Sequence, residues 1–330
     1  MKGRLLHVSK TEKIIGLGYK LFFLKNNKVV NVVNLASYVS IRNRLLSFSS
    51  LSRRMLRLGV HKILKSPNHY LILVDKIFLL VNHDFSRIEN IGEVKGSRPL
   101  YMVFSDTEII YGEYKSNPSR EPINIWSYSF SKKTWMSKCQ VKGIRHIHGV
   151  FSDKIHNRYW ITTGDKDEEC FIYYSEDDFT TLKVFLSGSQ AYRAIYLNIT
   201  KDIVEYGTDA PDDKNYIYQF DFESKKLIDR TEVGGPVFYG VSTNAGIYMS
   251  TAVEPSEITN LEYAEVWFRT HHGSWRLIDK YKKDIFPMKL FQYAQLTFPE
   301  VEGIIDDMYV STIACIPHEK IFKLEDSASE

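Results

Sequence analysis

Short apolar runs alternate with polar turns along most of this chain, and one arrangement of them recurs. Each copy has an apolar strand, a polar turn, a second strand that ends on an acidic residue, a third strand with aromatic residues, and a fourth strand. Four successive segments show it most clearly: residues 100–113, 146–165, 192–209 and 237–254. Equivalent points lie about 42 to 50 residues apart, which is typical of the four-stranded blades of a β-propeller.

This pattern predicts an all-β fold, a six-bladed β-propeller that forms one domain over residues 1–330. The last blade is expected to contain strands from both ends of the chain. Such a blade closes the ring and leaves no sheet edge exposed. The N-terminal hairpin, 20–25 and 28–35, could instead belong to a seventh blade, so seven blades are the alternative. The six blades are predicted at 60–95, 97–141, 144–187, 190–235, 236–287 and 289–325, the last completed by a strand within 14–35.

One segment, residues 41–58, departs from the strand pattern and predicts an inserted amphipathic helix. Its apolar residues recur at helical spacing, and its arginines fill the remaining surface. The helix could pack across one end of the propeller with its arginines in solvent. It could instead make a peripheral contact with an anionic membrane, as basic interfacial helices do. The apolar set is Ile41, Leu45, Phe48, Leu51, Met55 and Leu58, and the basic set is Arg42, Arg44, Arg53, Arg54 and Arg57.

Composition narrows the class of protein further. The chain is 44% hydrophobic and 14% aromatic, enough for a large core, and its formal charge of +3 is too small to indicate a nucleic-acid partner. Cys139, Cys170 and Cys315 have neither metal-binding nor redox spacing. Lysines interrupt the N-terminal region before a secretory signal could form, and no apolar run approaches the roughly 18 residues of a spanning helix. A cytoplasmic location is therefore expected.

Acidic residues close the second strand in four successive copies of the repeat. Glu113, Asp165, Asp209 and Glu254 occupy this position and would ring one end of the propeller axis. Paired carboxylates are what acid–base chemistry on a glycosidic bond requires. Short acidic side chains also cap turns after strands, so a structural role is the alternative.

Arginines recur near the starts of the first strands, at Arg98, Arg145 and Arg193. A guanidinium presents a planar fork that suits a carboxylate, so three of them would suit an acidic sugar. They could instead pair with the acidic residues of the repeat.

His146 and His148 lie two apart on a predicted strand and therefore share a face. Either could act as a general acid or base near neutral pH. A metal role would need a third ligand that the pattern does not identify, so we assign no metal and no cofactor. Gln190 and Tyr239 are further candidates for contacts with a sugar.

Residues 175–182 resemble a degenerate Asp-box, the turn typical of sialidase-like propellers. Ser175, Asp177 and Thr181 are kept, whereas the glycine and tryptophan are absent; 132–135 and 272–275 keep parts of the same ending. The resemblance covers the repeat from about residue 60 onward. It implies a glycan-facing protein similar to the sialidase-like proteins of bacterial surface-polysaccharide clusters. Sialidases use a tyrosine nucleophile, for which Tyr239 is the candidate, but their Phe-Arg-Ile-Pro motif is absent.

Together these observations favour an enzyme, a sialidase-like glycoside hydrolase that acts on an acidic oligo- or polysaccharide at the propeller axis. A polysaccharide lyase that uses arginine and histidine on a uronate, and a noncatalytic glycan-binding propeller, are the alternatives. Catalytic roles fall to Asp165, Asp209, Glu254, His146, His148 and Tyr239, and substrate binding to Arg98, Arg145, Arg193, Glu113 and Gln190.

Overall fold

The computed structural model describes residues 2–256, 258 and 262–325, and in them the chain forms seven β-sheets. The fold is an all-β propeller with seven blades. The chain divides into two compact units: unit 1 comprises Met1–Glu93 and Tyr239–Glu330, and unit 2 comprises Val94–Phe238.

Unit 1 contains four of the sheets. Their orders are β26-β1-β2-β3-β4, β5-β6-β7-β8, β21-β22-β23-β24 and β25-β27-β28. The strands are β1 (Arg4–Val8), β2 (Glu12–Leu17), β3 (Lys20–Lys25), β4 (Lys28–Asn34), β5 (Val60–Lys65), β6 (His69–Val74), β7 (Ile77–Asn82), β8 (Ile88–Glu93), β21 (Val237–Ser242), which crosses the boundary between the units, β22 (Ile247–Thr251), β23 (Tyr263–Arg269), β24 (Arg276–Lys282), β25 (Gln295–Thr297), β26 (Glu300–Val301), β27 (Tyr309–Ile313) and β28 (Ile321–Lys323).

Unit 2 contains three sheets of four antiparallel strands each, in the orders β12-β11-β10-β9, β13-β14-β15-β16 and β17-β18-β19-β20. The strands are β9 (Met102–Phe104), β10 (Glu108–Gly112), β11 (Ile123–Ser129), β12 (Thr134–Val141), β13 (His146–Asp153), β14 (Arg158–Gly164), β15 (Phe171–Ser175), β16 (Lys183–Ser187), β17 (Ala194–Ile199), β18 (Ile203–Thr208), β19 (Asn215–Asp221) and β20 (Leu227–Val233).

Burial follows the order of strands within each blade. The second strands, such as β10 and β18, are apolar and almost wholly buried, whereas the fourth strands, such as β20, are mostly exposed. Neighbouring blades of unit 2 approach closely where a glycine faces an apolar side chain. A Cβ atom on Gly112 would lie 2.1 Å from Cγ2 of Ile147, so only glycine allows this spacing.

The prediction of six blades is wrong, and the alternative of seven is the one supported. The N-terminal region was expected to supply one strand to the last blade, but β1–β4 are four of the five strands of another sheet, and the fifth is β26, which pairs with β1 in parallel. The part of the N-terminus that reaches the last sheet is shorter. Lys2 forms a bridge with Lys320, and the amide of Gly3 donates to the carbonyl of Glu319 at 2.8 Å.

The predicted helix over 41–58 is in fact two short helices, α1 (Ile41–Leu46) and α2 (Ser50–Leu56). Each has a serine N-cap, Ser40 and Ser49, whose side-chain oxygen accepts from a backbone amide of the first turn. The second cap explains the break, because a serine there offers the backbone an alternative to continuing the first helix.

The expectation that all five arginines of this segment face solvent is also wrong. Arg53 and Arg54 are buried, and their partners lie far away in the sequence. Arg53 pairs with Glu319 at 2.7 Å, and Arg54 pairs with Asp284.

Other helical elements are short. The helix α3 (Met288–Phe291) lies between β24 and β25, and single 3-10 turns occur at Ala36–Tyr38, Asp167–Glu169 and Gln190–Tyr192. Among the described residues, no helix combines the length and the apolar character needed to cross a membrane.

Candidate functional site

Two histidines at the start of β13 form the centre of a polar cluster in unit 2. His146 is paired in register with Gly164 at the end of β14, and Asp165 follows directly. A bulge between Ile147 and Gly149 interrupts the register at this point. The two imidazole rings lie on one side of the strand with 5.0 Å between their centroids, and their Nε2 atoms are 3.1 Å apart.

Backbone carbonyls from two other blades determine how the rings are protonated. Nδ1 of His148 lies 3.0 Å from the carbonyl oxygen of Ala194, and Nδ1 of His146 lies 3.4 Å from that of Lys115. A carbonyl oxygen can only accept, so Nδ1 is the donor in each ring, and when both rings are neutral the Nε2 lone pairs point toward each other. Such lone pairs repel unless a proton or a metal cation lies between them.

Asp165 is the carboxylate next to this histidine pair. Its Oδ1 lies 3.4 Å from Nε2 of His146 and 3.2 Å from Nη2 of Arg193, and its Oδ2 lies 2.6 Å from Nη1 of Arg145. Burial by itself would raise the pKa of Asp165. The hydrogen bond and charge of His146 and the charge of Arg193 outweigh burial and hold that pKa well below its usual range.

Asp209 lies deeper and behaves in the opposite way. Burial raises the pKa of Asp209 to about 6, although the charge of Arg193 acts against this. Its Oδ2 is 3.1 Å from Nε of Arg193 and 4.0 Å from Nε2 of His148. Its Oδ1 is buried and has no hydrogen-bond partner among the residues that the structure describes. One acceptor therefore remains available to a bound cation or ligand.

Burial of His148 also affects its protonation. Burial lowers the pKa of His148 well below its ordinary value, and the charges of His146 and Arg193 add to this. Without a cation, His148 is therefore neutral near pH 7 and offers a lone pair at Nε2.

The cluster opens to solvent on one side. The side chain of Arg145 is 42% exposed, whereas those of His148 and Asp209 are almost completely buried. A ligand would thus reach Arg145 and Asp165 before the histidines.

Other predicted residues support this cluster or lie apart from it. Gln190 donates from Nε2 to the carbonyl of Asp165 at 2.9 Å, so it positions the backbone there. Glu113 uses its carboxylate on Asn124, at 3.0 Å, and on Lys115, at 3.3 Å. Arg98 is half-buried ahead of β9.

Tyr239 and Glu254 belong to unit 1, whereas the cluster belongs to unit 2. The hydroxyl of Tyr239 donates to Oε1 of Gln295 at 3.3 Å, and Glu254 is half-buried.

Sequence reasoning missed four contributors to the cluster. Tyr114 packs its ring on His146 with 4.1 Å between centroids, and Lys115 and Ala194 supply the two carbonyls. Gly164 provides the space, because a Cβ there would lie 2.8 Å from Cγ of Arg193 and 3.0 Å from Cε1 of His148. Only the position of Tyr114 directly after Glu113 could have suggested any of these from sequence.

Asp165 is also the third possible metal ligand that the sequence pattern did not identify. The ligand atoms of His146, His148 and Asp165 all lie within 4.8 Å of one another. This group combines two imidazole nitrogens with one carboxylate oxygen.

Comparisons with known proteins show a similarity of fold alone. No family model matches the chain, and no curated protein matches it. Among solved structures, a chain of the mitotic checkpoint complex is 8% identical with a TM-score of 0.58, covering 97% of this chain and 88% of that one. The Pan2 WD40 domain of Neurospora crassa is 8% identical with a TM-score of 0.54, covering 95% and 86%. An oligogalacturonate lyase in complex with manganese is 9% identical with a TM-score of 0.57, covering 99% and 90%.

The shared class is therefore the β-propeller, without a closer relationship. A sialidase-like family is not shown by these comparisons. The turn at 175–182 is held by Asp177, whose Oδ1 accepts from Ser175 at 2.9 Å and whose Oδ2 accepts from Thr181 at 2.7 Å. Such side-chain hydrogen bonds stabilise a tight turn in any fold.

Proposed function

We propose that unit 2 holds a divalent cation on His146, His148 and Asp165 and that this site, together with Arg145, binds the carboxylate of an acidic saccharide. The observation that carries the proposal is the pair of Nε2 atoms 3.1 Å apart, each ring held by a carbonyl at Nδ1. Histidines that ligate metals usually donate their other ring N–H to such a partner, which orients the ring.

Two of the three distances between the ligand atoms match those around a bound metal ion. With metal–ligand bonds of about 2.1 Å, two ligand atoms lie about 3.0 Å apart at a right angle and about 3.4 Å apart at a tetrahedral angle. The Nε2 atoms are 3.1 Å apart, and Nε2 of His146 is 3.4 Å from Oδ1 of Asp165. Two imidazoles with one carboxylate suit a first-row transition metal better than Mg²⁺ or Ca²⁺.

An acidic ligand fits the charges around this group. Arg145 is the exposed member: its Nη1 donates to Asp165, while much of the side chain stays open to solvent. A bound cation would supply positive charge that polarises a carboxylate ligand. Arg193 offsets part of the repulsion between Asp165 and Asp209, since it contacts both at 3.1 to 3.2 Å.

The same contacts favour elimination over hydrolysis. A glycosidase places a sugar between its two carboxylates. Here the side chain of Arg193 bridges Asp165 and Asp209, so this pair does not offer an open gap for a glycosidic bond. A uronate lyase instead needs cationic groups at the sugar carboxylate and a proton acceptor, and the oligogalacturonate lyase with manganese supports such chemistry on this fold.

Metal binding is tested by titrating the EDTA-treated protein with MnCl₂ in a calorimeter. We expect one Mn²⁺ per chain, and we expect His148→Ala to lower the affinity at least about tenfold because it removes a ligand. His272→Ala is the matched control, since His272 is exposed and lies in unit 1. If the unaltered protein takes up neither Mn²⁺ nor Zn²⁺, the metal site is wrong.

Saccharide binding is tested separately with oligogalacturonate and, for comparison, a neutral oligosaccharide of glucose. Arg145→Ala should weaken oligogalacturonate binding about tenfold, because it removes a charge-assisted contact in a partly exposed site. Arg230→Ala, an exposed arginine of the same unit, is the control. Equal binding of both sugars would reject an acidic ligand and leave the metal result unaffected.

A further inference from the structure

Unit 1 exposes an unusual number of large apolar side chains on its two N-terminal helices. Phe48, between α1 and α2, is 81% exposed, and most apolar residues of the two helices are exposed as well: Ile41, Leu45, Leu51, Met55 and Leu56. The helices are therefore inverted relative to an ordinary surface helix, which buries its apolar stripe.

A second segment adds to this surface. Arg54 donates to the carbonyl of Phe291, and Gln292 donates back to the carbonyl of Arg54 at 2.7 Å, so α2 packs on α3. Ile285, just before α3, is 90% exposed. Leu51, Phe286 and Ile316 line one cavity of about 350 Å³. We call this surface the apolar face; its members are Ile41, Leu45, Phe48, Leu51, Met55, Ile285, Phe286, Leu290 and Ile316.

Buried ion pairs hold α2 in this orientation. Arg53 pairs with Glu319, and Arg54 is 2% exposed in its pair with Asp284. The guanidinium of Arg54 also lies 5.2 Å from the ring centroid of Phe286. Since these arginines face inward, the opposite, apolar side of α2 faces outward.

The exposed charged residues around the apolar face are all basic. Residues 36–58, 282–292 and 315–320 contain two acidic residues, Asp284 and Glu319, and both are taken up by the buried pairs. The exposed charged residues of the same segments are basic: Arg42, Arg57, Lys282, Lys289 and Lys320. An apolar surface with a basic rim is complementary to an anionic lipid surface.

We propose that the apolar face docks unit 1 on an anionic membrane surface, with Phe48 and Ile285 entering the boundary between headgroups and acyl chains. The basic rim supplies attraction to anionic headgroups, and burial of the apolar side chains supplies the rest. Contiguous exposed apolar patches on soluble proteins often mark a surface that binds a membrane or a partner. This docking does not depend on the cluster in unit 2.

The test is cosedimentation of the whole protein with phosphatidylcholine vesicles that either contain or lack phosphatidylserine. We expect binding to the anionic vesicles and at least tenfold weaker binding for Phe48→Ser combined with Ile285→Ser. Both side chains are almost fully exposed, so these changes leave the core intact. Arg42→Glu should weaken binding about fivefold or more, as expected for a basic residue near such a surface.

Ile155→Ser is the matched control, because Ile155 is 60% exposed and lies in unit 2. It should bind vesicles like the unaltered protein. The proposal is overturned if the unaltered protein does not bind anionic vesicles, or if the double serine variant binds them equally well. It is also overturned if sedimentation shows a dimer that the double variant loses, because the apolar face would then cover a second copy of the chain.

Discussion

At the scale of single residues, two carboxylates beside one arginine have opposite properties because their surroundings differ. Asp165 accepts from two arginines and lies beside His146, so its pKa stays low. Asp209 pairs with one arginine, Arg193, and is more deeply buried than Asp165. Burial raises the pKa of Asp209 to about 6. One site thus holds a carboxylate that is ionised over the whole working range and another that takes up a proton in mild acid.

The raised pKa of Asp209 predicts a pH-dependent stability. Since the folded pKa of about 6 exceeds an unfolded value near 3.9, the folded state binds more protons, and this contribution is lost as the pH rises from 4 to 7. Asn cannot ionise. Relative to the parent, Asp209→Asn should therefore gain about 2 to 3 kcal/mol of unfolding free energy across this range.

Urea unfolding of both proteins in EDTA at pH 4, 5.5 and 7 measures this difference. The lowered pKa of Asp165 has the opposite sign, acts mainly below about pH 5, and is present in both the parent and the variant. A difference between parent and variant that stays constant with pH would show that Asp209 is ionised throughout.

At the scale of elements, α2 is held by its charged residues more than by its apolar ones. An ordinary amphipathic helix packs its apolar stripe and exposes its charges. In α2 the pairs Arg53–Glu319 and Arg54–Asp284 are buried, while Leu51 and Met55 are exposed. The stability of this element should consequently depend on its ion pairs.

Arg54→Ala should destabilise the protein by about 3 to 5 kcal/mol, because it leaves Asp284 buried without its partner. Arg42→Ala, in the exposed first turn of α1, should change the unfolding free energy by less than about 0.5 kcal/mol. Replacing both partners, with Arg54→Met and Asp284→Leu, should recover much of the loss. Chemical denaturation followed by tryptophan fluorescence measures all three, and a loss below 1 kcal/mol for Arg54→Ala would contradict this account of α2.

At the scale of the whole molecule, the fold is compatible with several functions, since propellers of similar size include a WD40 domain and an oligogalacturonate lyase. The fold therefore does not select the chemistry. What distinguishes this chain is the content of each unit: a histidine and carboxylate cluster in unit 2, and the apolar face in unit 1.

Product analysis with oligogalacturonate and Mn²⁺ distinguishes the three classes of activity. In elimination a base removes the proton on C5, a C4–C5 double bond forms, and the C4–O bond breaks while its oxygen takes up a proton. We expect the ultraviolet absorbance of that unsaturated product to rise with time. New reducing ends without absorbance would indicate hydrolysis, and neither signal would indicate a binding protein. Arg145→Ala should slow an elimination, whereas Arg230→Ala should not.

Much of the fold follows from local sequence pattern. Strands and turns are local, so the repeat indicated the β-propeller, and strand alternation put His146 and His148 on one face. The number of blades, by contrast, could not be read from the local pattern. Whether β1–β4 join the last sheet or form another one with β26 depends on which distant strands they pair with, and the alternation of apolar residues looks the same in either case.

The sequence by itself determined the strand repeat, the acidic residues that end the second strands, and the residue types available to a site. Only the tertiary structure decided their roles. The carbonyls of Lys115 and Ala194 come from the blades on either side of β13, and they orient the Nε2 atoms of the two histidines toward each other, beside Asp165. Likewise, Arg53 is buried because it pairs with Glu319, which lies 266 positions away in the sequence. Such contacts depend on how blades and helices pack, and no local pattern in a sequence encodes a partner at that separation.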